Sequence, residues 1–254
     1  MKKDIDNYDK YYKKNASLYN KIRLDHENDF NHTIEIIREY AGVGDIHLLD
    51  IGCGTGKYGE RLAEFGYKVN GVDKSQDQIK EAQKIIDAQV ANALNLPFEE
   101  NSYDLCIMIM VIHQMEESEK RIKAFKEAYR VLKPGGFFII KTCSHKDLEN
   151  RLTSRFFSGC LEDDQKRYPD IAQLEKELNI FSKINIRPES VIVSHSKSDL
   201  INRFRQRKSS NMMEDKLSEK QLHIGIQKFK EYYENEEQVI EREKHNTFFI
   251  CSKE

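Results

Sequence analysis

The segment Leu48-Leu49-Asp50-Ile51-Gly52-Cys53-Gly54-Thr55-Gly56-Lys57 narrows the fold most. In it an apolar run passes straight into three alternating glycines and then a helical stretch. Without Cβ atoms, Gly52, Gly54 and Gly56 permit a tight turn and close approach of a ligand to the backbone, and the helix that follows opens with free amides suited to an anionic group. Gly54, Gly56 and Gly59 also satisfy the G-x-G-x-x-G dinucleotide pattern, so the loop alone leaves the ligand open. Gly71-Val72-Asp73 follows about 20 residues later. An acidic side chain at that strand end accepts hydrogen bonds from ribose hydroxyls, which a nicotinamide dinucleotide and an adenosyl cofactor both carry. A P-loop is excluded, because Tyr58 rather than Ser or Thr follows Lys57 and no glycine stands five positions before Gly56.

The surrounding pattern is strand, helix, strand. Short apolar runs at His47 to Ile51, Tyr67 to Val72, Ala88 to Ala91, Asp104 to Val111 and Gly136 to Thr142 alternate with helical stretches at Lys57 to Phe65, Gln76 to Ile86 and Glu117 to Leu132. That rhythm predicts a parallel sheet covered by helices with right-handed crossovers. Two helices are expected within residues 5 to 41. Residues 146 to 181, with Arg155-Phe156-Phe157 and the turn Tyr168-Pro169-Asp170, read as a helical insertion near the active face. Ile184 to Ser194 and Thr247 to Ser252 read as strands six and seven, the last antiparallel, around a charged helical segment from about Ser196 to Glu241. The expected organisation is an N-terminal helical lid (1–44), a cofactor-binding core (45–145), a helical cap (146–182), and a C-terminal part of the sheet with its long helical segment (183–254).

At this point Asp50-Ile51-Gly52-Cys53-Gly54-Thr55-Gly56 resembles the first motif of class I S-adenosylmethionine-dependent methyltransferases. Asn92-Ala93-Leu94-Asn95-Leu96-Pro97-Phe98 resembles that family's loop after strand three, Tyr103-Asp104-Leu105 the opening of strand four, and Val131-Leu132-Lys133-Pro134-Gly135-Gly136 the turn into strand five. Together these cover roughly residues 45 to 142. The resemblance implies an α/β, doubly wound, mostly parallel seven-stranded sheet, the Rossmann-like methyltransferase fold, with N-terminal helices and a small helical cap insertion. It implies S-adenosyl-L-methionine as cofactor: Asp50, Gly52, Cys53, Gly54 and Gly56 around the methionine part, Asp73 on the ribose, and Asn92, Ala93 and Leu94 beside the adenine. Lys74 and Met108 would flank the adenine and the methionine part. The family usually carries Asp where this chain has Asn92; an amide oxygen still accepts from the adenine amino group but brings no charge. Tyr19 and Arg23, four apart on one helical face, would close over the cofactor carboxylate and substrate.

Outside the motifs, His113 stands just beyond strand four, where open α/β sheets bind ligands. It is the candidate general base or substrate-orienting group, against the plainer reading of a hydrogen-bonded strand cap. Arg155 and Tyr168 in the insertion are candidate substrate contacts. The cluster Arg203-Phe204-Arg205-Gln206-Arg207-Lys208 reads as a solvated helix face, with an RNA-tracking patch as its alternative. The 41 Lys and Arg residues nearly balance 43 Asp and Glu, so the whole chain carries no field that favours nucleic acid or anionic lipid. Five dispersed cysteines without a C-x-x-C pair argue against a zinc site or a disulfide framework and fit a reducing, cytoplasmic setting; no metal is expected. No apolar run approaches membrane-spanning length. The expected reaction is in-line methyl transfer to a small-molecule acceptor, with an RNA or protein methyltransferase and a non-catalytic cofactor-binding regulator as alternatives. The acceptor atom and oligomeric state are not legible.

Overall fold

A computed structural model describes residues 27–207, 209–234 and 239–254; the expected cofactor contacts Tyr19 and Arg23 lie outside them. Seven strands form one sheet: β1 (His47–Ile51), β2 (Lys68–Asp73), β3 (Asp87–Val90), β4 (Tyr103–Ile109), β5 (Leu132–Thr142), β6 (Lys183–Ser196) and β7 (Val239–Ser252). Their order is β3-β2-β1-β4-β5-β7-β6. β1 to β5 pair in parallel, while β7 runs antiparallel to both β5 and β6. The doubly wound sheet expected from the sequence is therefore the observed architecture. Strand order reverses between β1 and β4, which places the ligand crevice of an open α/β sheet at the carboxyl ends of those two strands.

The alternation of side chains along each strand builds two cores. Leu49, Ile51, Cys106, Met108, Phe138 and Ile140 point to one face and pack on Ala124, Phe125 and Ala128 of helix α4 (Ser118–Val131). Leu48, Leu105, Ile107 and Ile139 point to the other, against α1 (Glu27–Ala41) and α2 (Lys57–Ala63). Strands apolar on both faces are what a buried parallel sheet requires. Each fully buried side chain such as Phe125 or Leu48 contributes about 1.5–3 kcal/mol. The short α3 (Gln76–Ala82) covers β3 through Ile79 and Ala82.

Beyond β5 the chain forms α5 (His145–Glu149), α6 (Leu152–Phe156), α7 (Cys160–Arg167) and α8 (Ile171–Glu177). A capping box fixes the start of α5, with Ser144 and Asp147 satisfying each other's backbone N–H groups. α8 returns to the core, where Arg121 of α4 makes a buried bidentate pair with Glu177 (Nε–Oε2 2.7 Å, Nη2–Oε1 2.6 Å). Arg121 Nη1 also donates to the carbonyls of Met115 and Glu116, at 2.8 Å each, which ties the turn after β4 to the same pair.

The C-terminal part differs from the sequence expectation. β6 and β7 are each 14 residues long and pair along their whole length, so the strand expected at Thr247 begins at Val239. Between them lie α9 (Lys197–Arg205) and α10 (Glu219–Tyr232). Their apolar faces, including Leu200, Phe204, Leu222 and Phe229, pack on Leu152, Phe156 and Phe157 from α6 and its end. The cap over the sheet thus combines two distant chain segments. Gly225 makes the close approach possible: a Cβ there would stand 2.2 Å from Phe157 Cδ1.

Candidate active site

Loops after β1 and β4 meet where the strand order reverses. Gly52 adopts φ 78°, and its N–H donates to Val72 O of β2 at 2.7 Å. A Cβ at Gly52 would lie 2.6 Å from Val111 Cγ2, so only glycine lets these loops pass each other. Asp73, at the end of β2, holds the glycine loop: its Oδ2 accepts from Gly54 N–H at 3.0 Å and its Oδ1 from Ser75 N–H at 2.8 Å. The carboxylate expected to bind a ribose is therefore also a clamp on the loop, and it lines the cavity there.

That cavity has a volume of about 330 Å³ and runs from the glycine loop to the underside of the cap. Two buried polar groups at the loop end have unsatisfied atoms. Asp50 Oδ2 and both amide atoms of Gln78 are shielded from solvent without a hydrogen-bond partner, and both residues line the cavity. Burial, with the nearby Asp73 charge, raises the Asp50 carboxyl to about 7. Cys53 also lines this end, and burial pushes its thiol far up, so it stays protonated and unreactive.

In the middle of the cavity His113 lies buried on a single 3-10 turn (Ile112–Gln114). Its ring stacks on Tyr168, with centroids 4.6 Å apart and planes at 9°. Arg151 fixes Tyr168 in turn, donating from Nη2 to the phenol oxygen at 3.1 Å and from Nη1 to Asp164 Oδ2 at 2.8 Å. Burial, partly offset by Arg151, pushes the Tyr168 phenol up to about 12.

The cap end is cationic. Asp29, from the first turn of α1, sits at its floor and accepts from Lys141 Nζ at 2.8 Å, Lys244 Nζ at 2.7 Å and Asn246 Nδ2 at 2.8 Å. Burial alone would raise Asp29, but the two ammonium groups hold it well below the usual carboxylate range. Burial lowers Lys141 to about 8 despite Asp29 beside it. Arg203 of α9 and Arg242 of β7 also line this end. With burial as the larger cause, they push His195 down to about 4.

Of the expected site residues, Asp50, Gly52, Cys53, Gly54, Asp73 and Lys74 line the cavity, as do His113 and Tyr168. Gly56 caps α2 with φ 84° and lies behind the loop against Ile86. Asn92 is exposed, and its Oδ1 accepts from Leu94 N–H at 3.0 Å in a local turn; Asn92, Ala93 and Leu94 lie outside the cavity lining. Met108 is fully buried in the core facing α4, and Ile109, Met110 and Val111 line the cavity in its place. Arg155 points outward, with its guanidinium 4.2 Å from the Tyr232 ring centroid, whereas Arg151 one turn earlier faces inward. The basic cluster divides likewise: Arg203 lines the cavity, and Arg207 donates to the Met212 and Leu217 carbonyls at 2.9 and 2.6 Å. Lys141, Arg151, His195, Arg242, Lys244 and Asn246 were missed. Lys141 is a lone cation at the end of an apolar strand, Arg151 caps a short helix, and Arg242, Lys244 and Asn246 lie on a strand face whose polar alternation carries no hydrophobic signal.

Among the described residues no group of three metal-ligating side chains occurs, and no helix is long and apolar enough to cross a membrane. Comparison with known proteins places the glycine loop in a family. Residues 49–140 match the model of a methyltransferase domain. A tRNA (carboxymethyluridine(34)-5-O)-methyltransferase of Macaca fascicularis is 35% identical over 129 residues, 50% of this chain and 19% of that protein. Norajmaline N-methyltransferase of Rauvolfia serpentina is 32% identical over 131 residues, 48% of this chain and 42% of that protein. The chain thus spans less than half the length of these relatives. An S-adenosylmethionine-dependent methyltransferase from Thermotoga maritima superposes with a TM-score of 0.60 at 18% identity, covering 96% of this chain and 98% of that one. Phosphoethanolamine N-methyltransferase 2 of Haemonchus contortus gives a TM-score of 0.55 at 21% identity, covering 88% and 52%. These superpositions carry the fold. Residues 49–140, with the glycine loop at the strand-order reversal, therefore carry a methyltransferase domain, and the fold around it is shared with an S-adenosylmethionine-dependent methyltransferase.

Proposed function

We propose that the chain methylates a small-molecule acceptor inside the cavity, with S-adenosylmethionine as donor. The observation that carries this reading is the pair of unsatisfied buried groups, Asp50 Oδ2 and the Gln78 amide, beside a left-handed glycine loop. A buried polar atom without a partner costs about 1–3 kcal/mol, and a polar ligand in the cavity removes that cost. An α-ammonium suits Asp50, and a carboxylate at the end of β2, where Asp73 stands, suits ribose hydroxyls. The residues present therefore fit the cofactor.

When bound, S-adenosylmethionine supplies a methyl group already activated on a sulfonium. The protein's residues align and enclose; they need supply no nucleophile. Gly52 and Gly54 admit close approach, Asp73 keeps their loop in place, and the cap excludes water. His113 lies between the glycine loop and the cap, where it orients the acceptor or takes its proton, and Tyr168 stacked on it fixes the ring plane.

The tRNA methyltransferase relatives favour a second reading, an RNA acceptor. Within the one basic cluster, Arg203 turns into the cavity and Arg207 into backbone carbonyls, which supports the small-molecule reading instead. The test is calorimetric titration with S-adenosylmethionine, S-adenosylhomocysteine and NAD, on the parent chain and on Asp73→Ala. Binding of both adenosyl ligands, weakened roughly tenfold or more by the substitution, is expected. Binding of NAD alone, or of none, overturns the reading. Transfer of labelled methyl to RNA but to no small molecule selects the second.

A further inference from the structure

The turn after β4 carries His113, but the ring it stacks on belongs to the cap. Tyr168 follows α7 directly, and three contacts fix it. Its N–H donates to the Asp164 carbonyl at 2.9 Å, its own carbonyl lies 2.8 Å from His145 Nε2, and its phenol oxygen accepts from Arg151 Nη2 at 3.1 Å. Arg151 is held in turn. Nη1 donates to Asp164 Oδ2 at 2.8 Å, and Nη2 also lies 3.1 Å from Cys143 Sγ, just past β5. The rigid fork of the guanidinium thus sets the phenol against the Asp164 carboxylate. Asp164 is fully buried, and through it the contacts leave the first cap segment. The same Oδ2 accepts from Asn211 Nδ2 at 2.8 Å, and Asn211 also donates to Thr153 Oγ1 at 3.2 Å. Asn211 is buried on the second cap segment, in the 3-10 turn (Ser210–Met212) between α9 and α10. From Asn211 the contacts run through Asp164, Arg151 and Tyr168 to the imidazole without a break. The apolar contacts of the roof are non-directional, whereas buried charge-assisted hydrogen bonds have a defined geometry.

We propose that Asn211, Asp164 and Arg151 are positioning residues for His113, acting through Tyr168, so that the imidazole takes its working orientation only when the two cap segments have joined. This rests on the methyltransferase reading above, in which His113 orients the acceptor or takes its proton. It extends that reading: alignment at the acceptor end depends on Asn211, which lies outside the cavity lining.

The test reads the imidazole itself, by NMR of the full chain labelled at histidine, with the His113 ring resonance assigned by its loss in His113→Gln. Spectra are recorded with and without S-adenosylhomocysteine. Calorimetry measures that ligand's binding separately, so its failure counts against the function rather than against this inference. Stacking on Tyr168 should displace the His113 Hε1 resonance upfield by the ring current of the phenol. Tyr168→Phe keeps the stacking ring and removes the bond to Arg151; it should move the resonance part of the way toward an exposed histidine. Arg151→Gln, Asp164→Asn and Asn211→Leu should each move it in the same direction. Arg151→Lys should not restore it, because an ammonium supplies the charge without the fork. Combining Tyr168→Phe with Arg151→Gln should add little to either alone, as expected of links in one chain. Leu222→Ala, which weakens the apolar roof by leaving a cavity, should lower stability to denaturant and leave the resonance in place. A His113 resonance unmoved by Tyr168→Phe and Arg151→Gln would overturn the proposal. So would an equal displacement in Leu222→Ala, which would make the effect one of general loosening, or full restoration by Arg151→Lys.

Discussion

Replacing Glu177 by Leu tests whether the Arg121 pair holds the turn that carries His113. The Arg121 side chain is 2% exposed and that of Glu177 4%. Removing the carboxylate therefore leaves a guanidinium that water cannot reach. Breaking a buried pair this way costs about 3–5 kcal/mol, because the surviving charge is uncompensated. The hydrogen bonds that Glu177 accepts from Ser118 at 2.7 Å and Gln173 at 3.0 Å are lost as well. For a chain of this size each kcal/mol lowers Tm by about 2–4 °C, so a fall of roughly 6–20 °C is expected in calorimetry. The double substitution Arg121→Met/Glu177→Leu removes both charges and should recover at least half of the loss. It cannot recover all, since the Met115 and Glu116 carbonyls lose their donor. A single variant within about 1 kcal/mol of the parent, or a double variant no better than the single one, would refute the reasoning.

Asp50 gives a pH prediction. Its folded value of about 7 stands above the ordinary carboxylate value, so its contribution is fully present below the unfolded value and is lost as pH rises through 7. Unfolding at pH 5 and pH 8 should show stability falling across that window in the parent and less in Asp50→Asn; a parallel fall in both would discard the assignment. Gly225→Ala opposes two effects. Alanine favours the helix by about 1 kcal/mol, but the clash with Phe157 at 2.2 Å is overpacking that costs about 1–3 kcal/mol. Net destabilisation by denaturant titration is expected, and a stabilised variant would mean the cap has room. Gly52→Ala, strained at φ 78° and 2.6 Å from Val111, should reduce S-adenosylhomocysteine affinity roughly tenfold or more; unchanged calorimetry would remove the loop from the site.

The sheet and the glycine loop were legible because their signals are local: apolar runs, glycines with left-handed backbone, and an acid at a strand end. Side-chain direction was harder to read. Met108 was placed toward the cofactor, but strand alternation turns it into the core. Arg155 reads as a pocket residue beside two phenylalanines but is exposed, whereas Arg151, which precedes α6 as its N-cap, lines the cavity. The largest miss was the start of β7. Ile240, Arg242, Lys244 and Asn246 alternate along one strand face, but because that face lines a polar cavity, hydrophobic periodicity reads the stretch as a charged helix.

If the cap holds the acceptor as proposed, its two-segment construction bears on how acceptor preference can change. Residues 145–168 and 197–233 form the roof as one apolar unit, while Arg242 and Lys244 of the floor follow the second segment in the chain. Recombination that exchanged either segment alone would leave half a hydrophobic interface facing a foreign partner. New acceptor preference is therefore expected to arise by point substitution inside the roof rather than by insertion of a ready-made module. β6 and β7 pair at 14 positions across a long intervening segment, so closing that loop carries much of the chain-entropy cost of forming this half of the molecule.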